Sequence, residues 1–469
     1  RGVGEDLINL IVELSKYLLL ILAALYTLES FSVFKYKAED DKRYILRKQL
    51  IVIFFMDFVA FLVIFLKTEK MEVIYFFGAQ LLYFIAVQVL YRIFYKKASL
   101  LLLNHMCMLL SVGFIMLARL DTESAVRQFQ IVVIATVIAM VIPVMIRKLR
   151  FLNKWTWFYA AAGMLLLLVV LVLGKNVNGA KINISIGGFA FQPSEFVKII
   201  FVFFAACRLY RKKADFRDHV ITTAVAAAYV LVLVISRDLG SALVFFITYV
   251  VMLYVATKKP LYLLAGLGSG CVAAVGAYFL FGHVRQRVVA WKNPFSVYEG
   301  AGYQIVQGLF AIGTGGLFGM GLCQGSPKMI PFVKQDYMFA AICEELGGLF
   351  AMCLILICMS MFLLVVNISL QIKKPFYKLI ALGLGTEYAF QVFLTIGGVT
   401  KFIPMTGITL PLVSYGGSSV LSTIIMLAII QGLYILREDE DEELEKQKEK
   451  RREASLKGRE GVREKRIKG

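Results

Sequence analysis

The sequence predicts an all-α, polytopic membrane protein. Hydrophobic residues make up 59% of the 469-residue chain, whereas soluble globular domains are nearer to half apolar. Apolar runs recur along the chain, and most are long enough, at roughly 18 residues or more, to cross a bilayer as a helix. The runs are continuously apolar and do not alternate with polar residues, which favours helices over the strands of a membrane β-barrel.

About thirteen membrane spans are predicted when each must hold roughly 20 mainly apolar residues. They are 7–34, 45–66, 72–94, 98–118, 128–146, 155–173, 194–210, 218–235, 239–256, 260–282, 338–366, 375–397 and 414–436. The amino-terminal residues show no cleavable signal sequence, and a chain that starts at Arg1 is expected to be part of a longer one.

Lysine and arginine residues are concentrated in every second connection between these spans. Examples are Lys96, Lys97, Arg147, Lys148, Lys373 and Lys374. Cytoplasmic loops carry such an excess, so the amino terminus is predicted outside and the carboxyl terminus inside. The alternate connections are then external: 119–127, 174–193, 236–238, 283–337 and 398–413. The net charge of +19 therefore points to membrane lipids and not to nucleic acid.

A long polar, glycine-rich segment at 283–337 interrupts the apolar pattern. Its basic residues are Arg285, Arg287, Lys292, Lys328 and Lys334. Loops of this length are usually functional or disordered, and four aromatic residues between 291 and 303 predict an ordered loop that packs against the helices. An external basic loop suggests a bound anion, but long translocated loops also tolerate positive charge. Charge alone supports both interpretations.

Asp336 lies where this loop returns to apolar sequence. The carboxylate is expected at the membrane interface near Lys328 and Lys334, where it could act as a general base on a lipid-borne hydroxyl. A single loop aspartate is more often simply solvated. Glu344 and Glu345 follow about two helical turns later, and buried acids at that depth need partners.

Two other charged groups lie at the external ends of predicted spans. Glu195 and Lys198 follow Ser194, whose expected role is to cap a helix start. Arg237 and Asp238 stand between two spans with almost no loop. Charges at that depth are costly unless they are paired or face a cavity. Both a mutual ion pair and a functional site fit this second group.

Glycine and proline residues break the helical pattern between 397 and 422. Non-helical backbone at membrane depth is tolerated where it is buried in protein or lines a cavity, and Lys401 in this stretch could meet an anionic group. No nucleotide-binding motif and no histidine-rich metal motif is present. From Arg437 the chain is highly charged and lacks apolar periodicity, which predicts a solvated, disordered or marginally helical tail with a basic end near the anionic leaflet.

Several long motifs occur together, in one order, in this chain. They are FQPSE at 191–195, DLGSA at 238–242, GYQIVQGLFAIGTGGLFGMGL at 302–322, GSPK at 325–328, QDYMFAAICEELG at 335–347 and IPMTGITLPLVSYGGSS at 403–419. In these motifs the sequence resembles the SEDS family, which includes FtsW, RodA and SpoVE. The resemblance implies a ten-helix core at 98–436 with the external loop 283–337. It leaves about three extra helices within 1–97, and a charged tail at 437–469.

The resemblance implies a peptidoglycan glycosyltransferase that polymerises lipid II at the outer face of the bacterial cytoplasmic membrane and releases undecaprenyl pyrophosphate, in cell division, elongation or sporulation. The family's essential aspartate falls on Asp336, where Gln335 replaces the common threonine. A second family aspartate falls on Asp238, preceded by Arg237 in place of proline. Where the family often has Arg-Trp, this chain has Lys-Ile at 181–182.

Several roles follow as expectations. The residues expected to bind substrate are Lys328, Lys334, Asp238, Arg237, Glu195, Lys198, Lys401, Gln304 and Glu345. The resemblance also implies Mg²⁺ or Mn²⁺, with Asp336 as a candidate ligand, and no organic cofactor. A class B penicillin-binding protein is the implied partner, alongside other divisome or elongasome proteins.

Two alternatives remain open at this level. A transporter or lipid flippase would also have many helices, broken segments at membrane depth and intramembrane charges. The single long ordered loop and the lack of an evident repeat weigh against it. A non-catalytic scaffold of the wall-synthesis machinery would use the loop as a docking surface.

Overall fold

The computed structural model describes residues 2–36, 38–149, 151–177, 180–186, 189–211 and 215–467. Within these residues, twelve helices are long and apolar enough to cross a membrane. The predicted helical, multi-pass membrane architecture is therefore confirmed. A small sheet, which the sequence analysis did not predict, is added in the 174–193 connection.

Seventeen α-helices form the framework of the described chain. They are α1 (Gly2–Ser32), α2 (Glu39–Thr68), α3 (Met71–Phe94), α4 (Leu100–Leu120), α5 (Thr122–Ala139), α6 (Ile142–Lys148), α7 (Thr156–Leu173), α8 (Ser194–Leu209), α9 (Phe216–Ile235), α10 (Leu239–Thr257), α11 (Pro260–Leu280), α12 (Gly282–Lys292), α13 (Tyr303–Gly315), α14 (Met338–Leu346), α15 (Gly348–Gln371), α16 (Pro375–Val399) and α17 (Gly417–Ile467). Three antiparallel strands, β1 (Lys175–Val177), β2 (Ala180–Ile186) and β3 (Phe189–Phe191), join α7 to α8 in the order β1-β2-β3. Their register pairs Val177 with Ala180 and Ile184 with Phe191.

Each predicted span coincides with a helix, but three differ in form. The span at 194–210 is α8, whose 16 residues make it shorter than the twelve helices long enough to cross. The span at 128–146 consists of α5 and α6, which meet just before Pro143. The span at 338–366 is divided at Gly347 into α14 and α15.

The break at Gly347 is produced by the loop that precedes it. Gly347 has a φ of 91°, a left-handed conformation that favours glycine. The segment 316–323 crosses the break, and the amide of Met320 donates to the carbonyl of Glu344 at 2.9 Å. A Cβ on Gly347 would lie 2.4 Å from the backbone nitrogen of Gly319. The glycines of this motif therefore permit direct contact between two backbones.

The first three helices pack on the rest of the protein through buried polar contacts as well as apolar ones. Helix α4 is the most enclosed of the candidate spans, with 94% of its window buried. On α4, His105 lies between the hydroxyl of Tyr26 on α1, at 3.0 Å, and that of Ser360 on α15, at 3.1 Å. Asn104 donates to Gln49 on α2 at 2.9 Å. Hydrogen bonds at membrane depth thus connect α1 and α2 to the helices that follow.

The charged tail continues α17 as helix to Ile467. The tail was predicted to be disordered or marginally helical, and the difference has an electrostatic cause. Its acidic start pairs with basic residues of three other connections: Lys97 and Arg147 with Asp439, Lys374 with Glu440, and Lys373 with Asp441. These pairs hold the first tail turns against the helix bundle. We call this end of the bundle the tail face and the opposite end, which carries 283–337, the loop face.

Replacement of Gly347 by alanine is expected to destabilise the protein for two reasons. The new Cβ would collide with neighbouring backbone, and the alanine residue would have to adopt a left-handed φ. The expected loss is about 2 kcal/mol or more, measured as a lower melting temperature in detergent. Gly313→Ala, in α13, is the matched control, since a Cβ there meets no atom within 4 Å. Equal melting temperatures for the two variants would contradict this account of the break.

Candidate functional site

The loop face holds a cavity of about 960 Å³, which is within the usual range for sites that enclose small molecules. Its walls come from α12, α13, the start of α8, the turn between α9 and α10, and the 405–419 segment. Five of the predicted site residues line it: Asp336, Gln304, Asp238, Arg237 and Glu195. Residues far apart in the sequence therefore meet around one space.

Asp336 reaches the cavity because of how Tyr337 packs. The Tyr337 ring is fully buried and lies against Gly308 of α13, where any Cβ would come within 2.5 Å of the ring. That close approach brings Gln304, one turn earlier on α13, toward the aspartate. The Gln304 amide lies 3.5 Å from the Asp336 carboxylate. Gly308 and Gln304, both in the GYQIVQG motif, thus place the carboxylate.

The Asp336 carboxyl has an unusual proton affinity. Burial raises its pKa from the ordinary value for aspartate to about 7, against the opposing influence of Arg287 and the Gln304 amide. A general base works best when its pKa is near the working pH, since it is then both available and basic. Asp336 has this property.

Asp238 is held by the turn that joins α9 to α10. Arg237 has a φ of 64°, and the amides of Arg237 and Asp238 bond back to the last turn of α9, as in a Schellman helix end. The Asp238 carboxylate then caps α10 by accepting from the Ser241 amide at 3.1 Å, and it accepts from the Ser194 hydroxyl at 3.1 Å. Burial raises the pKa of Asp238. Its bonds show a structural role at the cavity wall.

Glu195 belongs to a buried polar group on the helix side of the cavity. Lys198 donates to the Glu195 carboxylate at 2.7 Å and to the Gln391 side chain at 2.9 Å. Ser422 also donates to Glu195, at 3.0 Å. Glu195 lines the cavity, whereas Lys198 does not. Lys198 therefore acts on the cavity through Glu195.

Three arginines line the cavity: Arg127, Arg237 and Arg287. Arg287 on α12 donates to the carbonyls of Met405 and Thr406, which anchors the loop helix to the 405–419 segment. Burial lowers the pKa of Arg287, while the charges of Asp238 and Asp336 oppose that change. Arg287 is thus a cation on which both aspartates act.

Arg287 was absent from the residues predicted to bind substrate, although the sequence contained a signal for it. His283, Arg287 and Trp291 recur every four residues, which places them on one face of a helix. Two of them bind the same neighbouring stretch, since the Trp291 indole donates to the Lys401 carbonyl at 3.0 Å. Treating 283–337 as a loop without helices hid this face.

The remaining candidates do not line the cavity. Lys334 pairs with Asp121 at 2.6 Å, Lys328 is exposed at the surface, and Lys401 contributes its carbonyl to Trp291. Glu345 is fully buried and pairs with Arg119 at 3.0 Å. Nearness to Asp336 in sequence did not determine which way these side chains point. The side chains of Lys-Ile at 181–182 lie outside the described residues.

A resident metal site is not built into the described residues. Among them, no three His, Cys, Asp or Glu side chains form a group that could hold a metal ion. The cavity carboxylates each have other contacts: Asp336 with Gln304, Asp238 with Ser241, and Glu195 with Lys198. The protein side chains alone therefore do not fit a bound divalent cation.

The family model for FtsW, RodA and SpoVE, described as cell cycle protein, matches residues 91–438. This is most of the chain. The protein belongs to this family. The match includes every cavity residue discussed above, while α1, α2 and most of α3 precede it.

Individual relatives agree with the family match. The chain is 34% identical over 358 residues to the peptidoglycan glycosyltransferase RodA of Mycobacterium tuberculosis, covering 70% of this chain and 76% of the relative. It is 33% identical over 291 residues to the stage V sporulation protein E of Bacillus subtilis, covering 59% of this chain and 79% of the relative.

Solved structures share the fold of this family member. A chain of a peptidoglycan synthase complex that coordinates polymerization and crosslinking superposes with a TM-score of 0.62 and 25% identity, covering 72% of this chain and 98% of that one. The rod shape determining protein RodA of Thermus thermophilus has the same fold, with a TM-score of 0.56, 24% identity and coverage of 72% and 97%.

Two aspartates at the loop face are expected to respond oppositely to neutralisation. Burial raises the pKa of Asp336 to about 7, so ionisation of its carboxyl destabilises the fold as the pH rises from about 4 through about 7. Asp336→Asn should therefore raise the melting temperature at about pH 8 and change it little near pH 4.

Asp121→Asn is the comparison variant. Lys334 lowers the pKa of Asp121 to about 2, so its ionised form stabilises the fold above pH 4 and loses that effect as the pH falls through about 2. This substitution should lower the melting temperature at about pH 8, modestly because the pair is partly exposed. A shift of the same sign in both variants would refute the assignment of Asp336 as a half-buried acid whose ionised form destabilises the fold.

Proposed function

We propose that this protein is a peptidoglycan glycosyltransferase that polymerises lipid II into glycan strands and releases undecaprenyl pyrophosphate. One observation carries the proposal: Asp336, a carboxyl with a pKa of about 7, opens onto a cavity that three arginines also line. The curated relatives named as peptidoglycan glycosyltransferases support the same reaction.

The proposed step is a displacement at the anomeric carbon of the donor sugar. An Asp336 oxygen accepts the proton of the acceptor's 4-hydroxyl. At the same time, the oxygen of that hydroxyl forms the new glycosidic bond with the anomeric carbon. The bond from the anomeric carbon to the diphosphate breaks, and the diphosphate leaves with the electron pair. Gln304 orients the aspartate by its contact at 3.5 Å. No organic cofactor enters this step, because the pyrophosphate linkage supplies the driving free energy.

The departing diphosphate needs compensation for its growing negative charge. Cations placed in advance where charge develops lower the barrier to such a step. We assign this task to Arg287 and Arg237, which lie at the cavity with Asp336 and Asp238. Arg127 lies at the rim, where it also pairs with Glu123 at 2.7 Å. Asp238 positions the Arg237 turn and does not replace Asp336 as base.

We propose that the loop face lies outside the cytoplasmic membrane and that the tail lies in the cytoplasm. The basic connections that contact the tail carry Lys97, Arg147, Lys373 and Lys374, and cytoplasmic loops concentrate such residues. The number of membrane crossings decides where the amino terminus lies: an even number places the two termini on the same side, and an odd number places them on opposite sides. Crossing by α8 in addition to the twelve long helices gives the odd count, with the amino terminus outside.

A class B penicillin-binding protein is the partner we propose. The support is the solved chain of similar fold, which belongs to a peptidoglycan synthase complex that coordinates polymerization and crosslinking. A crosslinking enzyme acts on the glycan strands that a polymerase makes, so placing the two enzymes together at one membrane face delivers the product of one to the other. Other divisome or elongasome proteins remain further candidates.

Asp336→Asn and Asp336→Ala are expected to abolish polymerisation, because neither side chain can take the acceptor's proton. Loss of a general base typically costs a factor of about 10² to 10⁴ in rate. The measurement is gel separation of glycan strands made from lipid II by the purified protein, with and without the partner. The wild-type rate should also fall as the pH drops below about 7, as Asp336 becomes protonated.

Glu299→Gln is the control for this experiment, because Glu299 is an exposed carboxylate of the same segment. It should polymerise at the wild-type rate. Polymerisation near the wild-type rate by either Asp336 variant would reject Asp336 as base. A wild-type protein that binds the partner but never polymerises lipid II would instead support the scaffold alternative.

We further propose that Mg²⁺ or Mn²⁺ enters with the diphosphate and does not reside in the free protein. The described residues contain no group of three metal-binding side chains, and Mg²⁺ is often held by one or two carboxylates together with substrate phosphates. Chelation should therefore reduce polymerisation while leaving the melting temperature of the substrate-free protein unchanged. A chelator-induced drop in melting temperature would show a resident ion and overturn this proposal.

A further inference from the structure

Glu387 is a carboxyl that the proposed reaction leaves without a role. It is fully buried on α16, and neither of its oxygens has a hydrogen-bond partner among the described residues. An ionised carboxylate in that position would be several kcal/mol less stable than in water, so such a group retains its proton or finds a cation. Acids inside membrane spans are uncommon and usually functional.

The cation whose charge acts on Glu387 is Lys198, which also pairs with Glu195 at the cavity. The charges of Lys198 and Glu195, both on α8, act on Glu387. Glu387 and Gln391 lie four residues apart on one face of α16, and Gln391 accepts a hydrogen bond from Lys198 at 2.9 Å. The charge of Lys198 therefore acts on two carboxyls: Glu195, which lines the cavity, and Glu387, which does not.

The other helices around α16 contribute no competing charge in the described structure. Helix α10 meets α16 through Met252 against Gly383, and α15 meets it through Val365 against Gly385. The titratable group of α15 here is the Cys358 thiol, which lies beside Tyr388, and α17 presents the hydroxyls of Ser419 and Ser422. Glu344 and Glu345 of α14 bond to the Ser326 amide and to Arg119.

Lys198 has the capacity to serve both carboxyls in turn. An ammonium group has three donors, and its bonds to Glu195, at 2.7 Å, and to Gln391 use two of them. With Glu387 protonated, the three side chains Glu195, Lys198 and Glu387 carry no net charge. With Glu387 ionised, they carry one negative charge, and Lys198 is attracted away from Glu195.

We propose that Glu387 is a proton-binding site whose proton keeps the Glu195–Lys198–Glu387 group neutral, and that loss of this proton weakens the binding of an anionic diphosphate in the cavity. The first half stands on the burial of Glu387 and on the lack of a hydrogen-bond partner for its oxygens among the described residues. The second half rests on the proposed function, because it takes a lipid diphosphate as the occupant. Glu387 is thereby a positioning residue that acts through Lys198 and Glu195.

The protonation of Glu387 is tested by infrared spectroscopy of the purified protein. Protein with native Glu387 at about pH 7 should show the carbonyl band of a protonated, non-hydrogen-bonded carboxylic acid, and Glu387→Gln should lack it. Both samples carry Asp336→Asn, so that the catalytic carboxyl contributes nothing to the difference. Identical spectra would show that Glu387 is ionised and would overturn the proposal. If Glu387→Gln fails to fold, Glu387→Met takes its place, because this unbranched apolar side chain needs no hydrogen-bond partner in that buried position.

The effect on the cavity is tested with undecaprenyl pyrophosphate as the probe, bound to the same Asp336→Asn protein. Between about pH 6.5 and about pH 9.5 its dissociation constant should rise by roughly 5- to 10-fold, the effect of one added charge near the site. In the Asp336→Asn, Glu387→Gln protein the constant should change far less. An equal rise in both proteins would overturn the coupling.

Failure of the Glu387 proposal and failure of the proposed function give different experimental results. If the protein binds no undecaprenyl pyrophosphate at any pH, the diphosphate cavity is rejected together with the coupling, while the infrared band still decides whether Glu387 holds a proton. Glu299→Gln is the control in both measurements, since its exposed carboxylate should alter neither the band nor the pH dependence.

Discussion

The structure depends on how charged side chains are compensated where water is scarce. A buried ion is costly unless it is paired or loses its charge. Glu345 of α14 is paired with Arg119 of α4, which ties two helices together, and Glu195 is paired with Lys198 within α8. The Asp336 carboxylate is stabilised by a backbone amide, by the charge of Arg287 and by the long contact from Gln304, yet burial outweighs them and raises its pKa. Because the negative charge of the Asp336 carboxylate is only partly compensated, its pKa stays high enough for a catalytic acid or base.

The loop segment 283–337 gains its order from backbone contacts with helix breaks. The 316–323 stretch bonds to the end of α14, and α12 bonds to the carbonyls of 401–406. Each contact occurs where a helix has ended, so free amides and carbonyls are available to partners other than their own helix. Helix breaks at membrane depth are tolerated here because they are enclosed by the protein. The break after α16 also lines the cavity, through Met405 and Thr406.

The helical pattern and the motif residues could be predicted from the sequence alone. Continuous apolar runs predicted the positions of the spans, because a bilayer imposes a length and a composition on each crossing segment. Asp336, Asp238 and Glu195 could be predicted as site residues because few charged residues lie at the ends of the predicted spans. Arg287 was overlooked because its importance lies in a helical face within a segment interpreted as loop. Gly347 was overlooked because an apolar run shows no sign that backbone from 316–323 will cross it.

The sequence by itself determined the membrane class, the approximate spans, the grouping of connections on two faces and the family, since these depend on local composition and on contiguous motifs. Only the tertiary structure decided which charged residues share a cavity. It brought Arg287 to Asp336 and Asp238, turned Lys334 to Asp121 and Glu345 to Arg119, and left Glu387 beside Lys198. The physical reason is that side-chain direction and pairing depend on how helices pack across long sequence separations, and neither composition nor spacing specifies that packing.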